Sequence, residues 1–284
     1  MQKSILICMA HPDDEIGTGP LVTRYVAEGA HATLICATNG DVGTVDKEFL
    51  EGYASIAELR LAELERATTT IGFTEVVTFG YRDSGMMGTE DNQHAESLWH
   101  APLEEVTQKV LEVMRRVRPQ VVITFNDFGA YGHPDHIKCN QATVAAFHQL
   151  QSEPEHPQKL YYTSGPRQLM RVGLAVMKLL RKDPRKTGRN NDMDLQAAYE
   201  AVTPTTTRIP VAGHVGPTMR AMGCHASQMG RSAFRDTLGP PAARLFWRRS
   251  GLSRVFPEPQ PSEGIERDLF EGVTFSDLPL VTQG

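Results

Sequence analysis

The feature that most constrains this chain is a run of six apolar residues, 5–10, that stops at the turn His-Pro-Asp-Asp-Glu. A run of this length and character, ended by a polar turn, predicts a buried β-strand. Three successive carboxylates at the end of a buried strand repel one another unless a cation lies among them. The stretch therefore predicts a strand that brings an imidazole and several carboxylates to the edge of a sheet.

A second turn of the same kind, Tyr-Gly-His-Pro-Asp-His at 131–136, lies far along the chain. His11 and Asp14 are three residues apart, and His133 and His136 repeat this spacing. Side chains so spaced in a tight turn or in the first turn of a helix can face the same point. Either turn alone is also typical of a hydrogen-bonded histidine or a helix cap. Together, their nitrogen and oxygen donors predict a divalent metal site.

Strand and helix patterns alternate through the first half of the chain. Apolar and β-branched runs predict strands at 5–10, 31–38, 76–79 and 120–125, and helical spacing predicts helices at 21–28, 55–70, 102–118 and 134–147. This order predicts an α/β fold, a Rossmann-like, mostly parallel sheet with helices on both faces and an active site at the C-terminal ends of the strands. A dinucleotide site is excluded because acids, and not GxGxxG, follow the first strand.

The pattern weakens beyond residue 165. Helices are predicted at 168–182, 192–202 and 219–228 and a strand at 208–211, and the aperiodic stretch from residue 240 onward predicts a wrapping segment or lid. No linker or repeat divides the chain. We therefore expect a single domain, 1–284, with a Rossmann-like catalytic core at 1–165. A helical or irregular segment at 166–284 is expected to complete the substrate pocket.

Composition excludes several classes of protein. With 284 residues, 40% of them hydrophobic and 22% charged, the chain is typical of a soluble globular protein. Its net charge of -5 argues against a nucleic-acid partner, which would call for a basic face. No apolar run approaches the ~18 residues of a spanning helix, and no leader is visible, so we expect a cytoplasmic protein without a membrane partner. The four scattered cysteines are expected to be free thiols.

At this point the motifs resemble the LmbE-like or PIG-L family of zinc-dependent N-deacetylases, which remove acetyl groups from N-acetylglucosamine-type amides. The AHPDDE and YGHPDH turns carry the resemblance, and a spaced helix supports it at Arg60, Glu63, Ala67 and Gly72. YRDSGM at 81–86 is similar to the branch that includes the mycothiol-pathway deacetylase and mycothiol conjugate amidase. The resemblance covers about the first 150 residues, with a weaker match of 219–228 to a late HxSQ-like helix.

The resemblance implies that His11, Asp14 and His136 bind one zinc ion and that Asp13 is the general base. Three protein ligands and an open position are the arrangement of a catalytic zinc site. Zinc lowers the pKa of bound water from ~15.7 toward ~7, so that hydroxide becomes available at neutral pH. Fe²⁺ or Co²⁺ could occupy the same donors.

The resemblance also implies roles around this centre. Tyr131 and His133 would stabilise the oxyanion, with Asp135 orienting His133, and Arg60 and Asp83 would contact the sugar. Chemistry adds that an imidazole beside an aspartate favours its charged form, so His133 is expected to be a cation. The residues alone leave other interpretations open. Asp135 could be an acid of a helix N-terminus, and Asp83 a turn residue.

Three further residues have interpretations that do not depend on the metal site. From helix spacing alone, Arg60 is expected to be solvated and paired with Glu63 one turn on. Glu15 is expected to cap the helix that follows the first turn. The role of His225, in the late helix, is left open.

The leading hypothesis is a metal-dependent hydrolase that removes the acetyl group of an N-acetylated amino sugar. The alternatives are an amidase of a glucosaminyl thiol conjugate and a non-catalytic metal- or sugar-binding relative. A two-metal phosphoesterase would need bridging carboxylates, which the sequence does not offer. The chain departs from the mycothiol-pathway relatives at 92–103 and across most of its C-terminal third, so the aglycone stays open. The resemblance is compatible with a homo-oligomer.

Overall fold

The structure is a computed structural model that describes residues 2–188, 190–229 and 247–275. Seven strands form one sheet: β1 (Ser4–Met9), β2 (His31–Thr38), β3 (Glu75–Tyr81), β4 (Val121–Thr124), β5 (Lys159–Thr163), β6 (Thr207–Pro210) and β7 (Arg249–Phe256). Their order across the sheet is β3-β2-β1-β4-β5-β7-β6. The first five strands run parallel, and β7 is antiparallel to both of its neighbours. The predicted fold class is confirmed.

The helices of the described residues are α1 (Gly19–Ala27), α2 (Ile56–Ile71), α3 (Leu103–Val117), α4 (Gly129–Gly132), α5 (Pro134–Leu150), α6 (Arg167–Leu179), α7 (Leu195–Glu200), α8 (Val215–Met222) and α9 (Ala226–Met229). Right-handed crossovers place α1 and α2 on one face of the sheet and α3 and α5 on the other. In agreement, α3 packs against α5, while α8 packs against α1 and α2. The strand ends that carry polar turns therefore lie at one edge between two helical layers.

Local sequence explains the boundaries of the elements near that edge. All six residues of β1 are buried, as expected of a central parallel strand. Helix α2 begins where the Ser55 side chain accepts a hydrogen bond from the backbone N–H of Glu58 at 3.1 Å. It ends at Gly72, whose φ of +100° favours glycine. Pro134 occupies the first turn of α5, where its missing N–H costs nothing.

The C-terminal part departs from its prediction in two ways. The single helix predicted at 219–228 is wrong: α8 and α9 are separate, and the break turns His225 into the interior, where it is fully buried. The description of residues 240 onward as an irregular lid is also wrong for 249–256, which form β7. Residues 240–246 and 276–284 lie outside the described residues.

Strands β5 and β7 were not predicted. Strand β7 has no clear apolar period, and its conformation is set by hydrogen bonding to β5 and β6 on either side. Together, β6 and β7 make the C-terminal part an extension of the same sheet.

The cysteines match the expectation of free thiols. Cys8, Cys36 and Cys139 are buried, Cys224 is half-buried, and all four are free thiols. Among the residues that the structure describes, no helix has both the length and the apolar character needed to cross a bilayer.

Candidate active site

The first turn follows β1 directly, and its backbone is held in an unusual conformation. Asp13 has φ +111° and ψ -20°, a left-handed region that is costly for a residue with a side chain. Its backbone N–H donates to Glu15 Oε2 at 2.9 Å. The guanidinium of Arg60 donates to the carbonyl oxygen of Pro12 and, at 3.0 Å, to that of Gly40. Two buried side chains therefore fix the path of this turn.

The second turn is built differently, as the start of a helix. His133 is the N-cap of α5, and its Nδ1 accepts the backbone N–H of Asp135 at 3.2 Å. One turn into the helix, the ring of His136 stacks on Phe125 with a centroid distance of 3.8 Å and an interplanar angle of 8°. The helix and the stacking contact thereby orient both imidazoles.

The two turns bring three predicted metal ligands together. His11 Nδ1 lies 3.2 Å from His136 Nε2, and Asp14 Oδ2 lies 3.4 Å from each of these nitrogens. Metal–ligand bonds of about 2.0–2.1 Å in a tetrahedral site correspond to roughly 3.3–3.4 Å between neighbouring donors. The triangle therefore fits a divalent ion that keeps a further position open.

The opposite nitrogen of His11 contacts two more carboxylates. His11 Nε2 lies 3.2 Å from Asp135 Oδ2 and 3.5 Å from Asp83 Oδ1. These groups and His133 form a second set of potential metal donors. However, Asp83 Oδ1 is 3.9 Å from His133 Nε2, too long for a tetrahedral edge. The carboxylates on this side are better placed to orient His11 by accepting its second N–H.

The side chain of Asp135 does not contact His133 as expected. It is fully buried, and Ser84 donates to it twice, through its backbone N–H at 2.9 Å and through its hydroxyl. The remaining contact of the carboxylate is with His11. The physical reason is the helix start: Asp135 touches His133 only through its backbone N–H, so its side chain is free to reach the first turn.

The charges of this cluster favour a cation. Burial alone would lower the pKa of His11, but Asp83 and hydrogen bonds to Asp135 and Asp14 raise this pKa well above its usual value. Burial opposes ionisation of Asp14, yet His136 and His11 hold its pKa well below the usual range. Carboxylates thus outnumber the cations around His11, which is the electrostatic condition for binding a metal ion.

The predicted general base has a shifted pKa. Burial, opposed by Arg60, raises the pKa of Asp13 from 3.8 to about 6. Its side chain is 27% exposed, and its Oδ2 lies 3.2 Å from Arg60 Nη2. A carboxylate with a pKa near neutrality can both accept and return a proton at physiological pH.

Tyr131 and His133 lie beside the triangle of donors. The ring of Tyr131 is centred 5.0 Å from that of His136 and 6.0 Å from that of His133. Burial raises the pKa of Tyr131, so its hydroxyl keeps its proton. The expectation of a cationic His133 is not met, because burial and the neighbouring His11 and His136 lower its pKa far below the usual value. With Nδ1 accepting a backbone N–H, the neutral ring carries its proton on Nε2 and is a hydrogen-bond donor.

The two predicted sugar contacts are both buried. Asp83 is 5% exposed and Arg60 is 3% exposed. The interpretation of Arg60 as a solvated partner of Glu63 is therefore wrong. Glu63 instead accepts hydrogen bonds from the backbone N–H and hydroxyl of Ser227, at 2.9 and 2.6 Å. A Cβ at Gly40 would overlap Arg60, so glycine is needed for this approach.

Two features of the site were missed. Glu15 accepts the backbone N–H of Asp13 at the start of the short 3-10 helix Asp14–Gly17, as a capping residue does. It does more than this, since its Oε1 lies 2.6 Å from His225 Nε2, and both side chains are fully buried. Ser84, which holds Asp135, lies in the YRDSGM motif and was not singled out. The late HxSQ-like motif was a signal for the first feature, since a histidine near three acids is a natural partner for one of them.

Comparisons with known proteins identify the family of this chain. Residues 6–147 match the family described as PIG-L: GlcNAc-PI de-N-acetylase. The 1D-myo-inositol 2-acetamido-2-deoxy-alpha-D-glucopyranoside deacetylase of Thermobifida fusca is 35% identical, over 94% of this chain and 99% of that protein. The N,N'-diacetylchitobiose deacetylase of Pyrococcus horikoshii superimposes with a TM-score of 0.60 at 16% identity, covering 92% of this chain and 87% of that one.

A further solved structure shares the fold with a different chemistry. GalB, the 4-carboxy-2-hydroxymuconate hydratase of Pseudomonas putida KT2440, has a TM-score of 0.58 at 17% identity, covering 93% of this chain and all of that one. At such identities the likeness shows the fold alone, and this fold does not by itself select a reaction.

The sheet, the His/Asp cluster able to hold a metal, and the matched relatives define the class of this protein as a de-N-acetylating hydrolase. The chain belongs to the PIG-L family. The predictions of family, fold class and enzyme class are thereby confirmed.

Proposed function

We propose that this protein removes the acetyl group from the N-acetylglucosamine unit of a small molecule in which that sugar is linked to inositol. The inositol part of the proposal rests on the names of the relatives that cover nearly the whole chain. The observation that carries the chemistry is the triangle of His11 Nδ1, Asp14 Oδ2 and His136 Nε2. Asp13 directly precedes Asp14 in the chain.

We assign the three atoms of the triangle to one divalent ion and favour zinc, because mixed nitrogen and oxygen donors at tetrahedral spacing suit it. Fe²⁺ and Co²⁺ accept the same donors. When bound, such an ion supplies Lewis acidity, which polarises the amide carbonyl and makes a water molecule acidic enough to ionise near neutral pH.

Asp13 is proposed to move the proton. Its pKa of about 6 lets the carboxylate accept a proton from the attacking water and return it to the leaving amine. Arg60, 3.2 Å away, favours the ionised form that begins the cycle. The left-handed backbone at Asp13 points successive side chains, Asp13 and Asp14, to different partners.

Tyr131 and neutral His133 are proposed to donate hydrogen bonds to the developing oxyanion, each worth about 3 kcal/mol in comparable sites. His133 does not need a positive charge for this role, because its Nε2–H is a donor in the neutral ring. Asp83 and Arg60 remain proposed sugar contacts. In addition, Arg60 holds the first turn through two backbone carbonyls.

Acetate release from N-acetylglucosaminyl-inositol by the purified protein tests this proposal, together with elemental analysis, chelation and zinc add-back. We expect about one metal ion per chain and activity that chelation removes and zinc restores. His11→Ala should lose both metal and activity, whereas His100→Ala, an exposed histidine outside the site, should keep both.

Release that persists without metal, or in His11→Ala, would overturn the mechanism. Release only from an amide of a glucosaminyl thiol conjugate would replace the substrate and keep the chemistry. Metal binding with no hydrolysis of either amide would favour a non-catalytic relative.

Three further predictions remain open to experiment. They are the cytoplasmic location, assembly into a homo-oligomer, and the division into a catalytic core at 1–165 and a pocket-completing segment at 166–284. Sedimentation velocity measures the second directly.

A further inference from the structure

Helix α6 exposes an apolar face that the described part of the chain does not cover. Nine large apolar side chains are exposed in the described residues, and five of them lie within residues 169–180. These five are 47 to 82% exposed: Leu169, Val172, Val176, Leu179 and Leu180. No residue of α6 is buried. Such a concentration of exposed apolar surface marks an interaction site more often than chance.

Helical spacing sorts the side chains of α6 into faces. Residues 169, 172, 176 and 179 recur at intervals of three and four, so they share one side of the helix. Met170, Leu174 and Met177 lie on the adjoining side and are half-buried, and α6 contacts α7. Arg167, Arg171 and Lys178 lie on the remaining side, and Arg181 and Lys182 follow the end of the helix. The helix is thus amphipathic, with half of its apolar arc facing outward.

The charge of this segment is opposite to that of the chain. Residues 167–182 contain five Arg or Lys and no Asp or Glu, whereas the whole chain has a net charge of -5. Arg167 lies over the ring of Tyr199 at 5.3 Å. Within the described ranges, Arg171, Lys178, Arg181 and Lys182 form no ion pair. An apolar stripe bordered by unpaired cations calls for a partner that is both apolar and negatively charged.

Two possible partners of α6 come from the protein itself, a second copy of the chain and the undescribed segments, and neither complements the positive charge of this helix. A twofold contact between copies of α6 would bring the unpaired cations of both copies together. The undescribed residues 230–246 contain three Arg and one Asp, and residues 276–284 contain a single Asp, so neither segment supplies the missing negative charge. A bilayer with anionic headgroups supplies both the apolar and the negative component.

We propose that α6 is an interfacial helix that binds the surface of an anionic lipid bilayer. Its apolar face lies at the level of the headgroups, and its cations contact lipid phosphates. Helix α6 follows the C-terminal end of β5, at the edge of the sheet that carries the candidate active site. Docking therefore brings that edge toward the membrane. The expectation of no membrane partner rested on the lack of a spanning segment, which an interfacial helix does not need.

Co-sedimentation of the full chain with vesicles tests this inference, comparing phosphatidylcholine alone with phosphatidylcholine mixed with phosphatidylglycerol. We expect binding only to the mixed vesicles, weakening as salt is added. Arg171→Glu/Lys178→Glu should lower the partition coefficient at least about 25-fold, since each Lys or Arg at an anionic surface contributes about fivefold. Val172→Ser/Val176→Ser should lower it as well. These positions are exposed, so thermal unfolding should match the parent protein.

Control variants change exposed residues outside α6. Ile265→Ser and Arg267→Glu change an exposed apolar and an exposed basic residue away from α6, and both variants should bind vesicles like the parent. Absence of binding by the parent, or equal loss in the controls, would overturn the proposal. So would a parent dimer in sedimentation velocity that Val172→Ser/Val176→Ser converts to a monomer without any vesicle binding, because the face would then join two copies. None of these outcomes depends on deacetylase activity.

Discussion

The two turns of the site start with the same three residues, His-Pro-Asp, and use the aspartate in opposite ways. In the first turn, Asp13 has a left-handed backbone and a side chain that is 27% exposed. In the second, Asp135 lies in the first turn of α5 and is fully buried. One carboxylate is thereby available to a substrate, and the other is fixed by Ser84 and His11.

The difference arises from the support around each turn and not from the tripeptide. A proline at the start of a helix is pre-organised, so the second turn needs little help. The first turn stores backbone strain of the order of 1–3 kcal/mol, which its surroundings must outweigh. Arg60 and the pair of Glu15 and His225 supply that support. A repeated motif therefore identifies a site but does not assign its residues the same task.

The largest effect should come from the first aspartate. Asp13→Asn removes the proposed base, and we expect kcat to fall about 10²–10⁴-fold while bound metal is retained. Asp135→Asn is the matched change in the second turn. It should act mainly on metal affinity, because Asp135 orients His11. Acetate release at saturating zinc, with metal content measured in parallel, separates the two. Equal losses of kcat with metal retained in both variants would show that the two aspartates play the same role.

The next largest effect should be a loss of stability when the support of the first turn is removed. Glu15→Ala leaves His225 buried without its partner, and we expect the free energy of unfolding to fall by about 3–5 kcal/mol. Glu15→Gln keeps a hydrogen-bonding group and should lose less. Urea unfolding of the metal-free proteins measures both. A loss below about 1 kcal/mol for Glu15→Ala would show that the pair does not hold the turn.

The change from Asp to Asn should raise the free energy of unfolding at position 13 and lower it at position 135. A carboxyl whose pKa rises on folding stabilises the fold while protonated, and this contribution is lost as the pH rises from 3.8 to about 6. Above pH 6, metal-free Asp13→Asn should therefore be more stable than the parent by about 1–3 kcal/mol.

Asp135→Asn provides the contrast, because it replaces an oxygen that accepts hydrogen bonds in the interior. It should be less stable than the parent by about 1–3 kcal/mol. Urea midpoints at pH 5 and 7.5 test both signs. A lower stability of Asp13→Asn at pH 7.5 would contradict the raised pKa of Asp13.

The smallest effect concerns the support of the second turn. Ser84→Ala removes one of two hydrogen bonds from Ser84 to Asp135 and leaves the backbone one. We expect zinc affinity to fall about tenfold, the lower end for a group that orients a metal ligand. Competition with a chromogenic chelator measures it, and Ser97→Ala, another buried serine, is a control for general loosening. An unchanged affinity in Ser84→Ala would separate Asp135 from the metal site.

The first half of the fold was predictable because its signals are local. Buried parallel strands are continuous apolar runs, and the ends of α2 are marked by Ser55 and Gly72. The convergence of two polar turns followed from the rule that parallel strands end at one edge. Strand β7 has no such local signal, because its conformation depends on the strands beside it.

The parts of the site that were not predicted depend on contacts between distant residues. Arg60 is buried because a loop 20 residues earlier closes over it. The carboxylate of Asp135 accepts hydrogen bonds from Ser84, 51 residues away, and does not contact His133, two residues earlier in the chain. Neither choice can be read from spacing along one element, since each depends on how two loops meet at the edge of the sheet.

The bond between Glu15 and His225 links two positions 210 residues apart. A ribosome that adds about 5–20 residues per second needs roughly 10–40 s to pass from one to the other. For that interval the five parallel strands, β1 to β5, can pair while the Glu15 carboxylate still lacks its partner. The proposed catalytic residues are therefore synthesised first, but the contact that supports the first turn waits for a residue made much later.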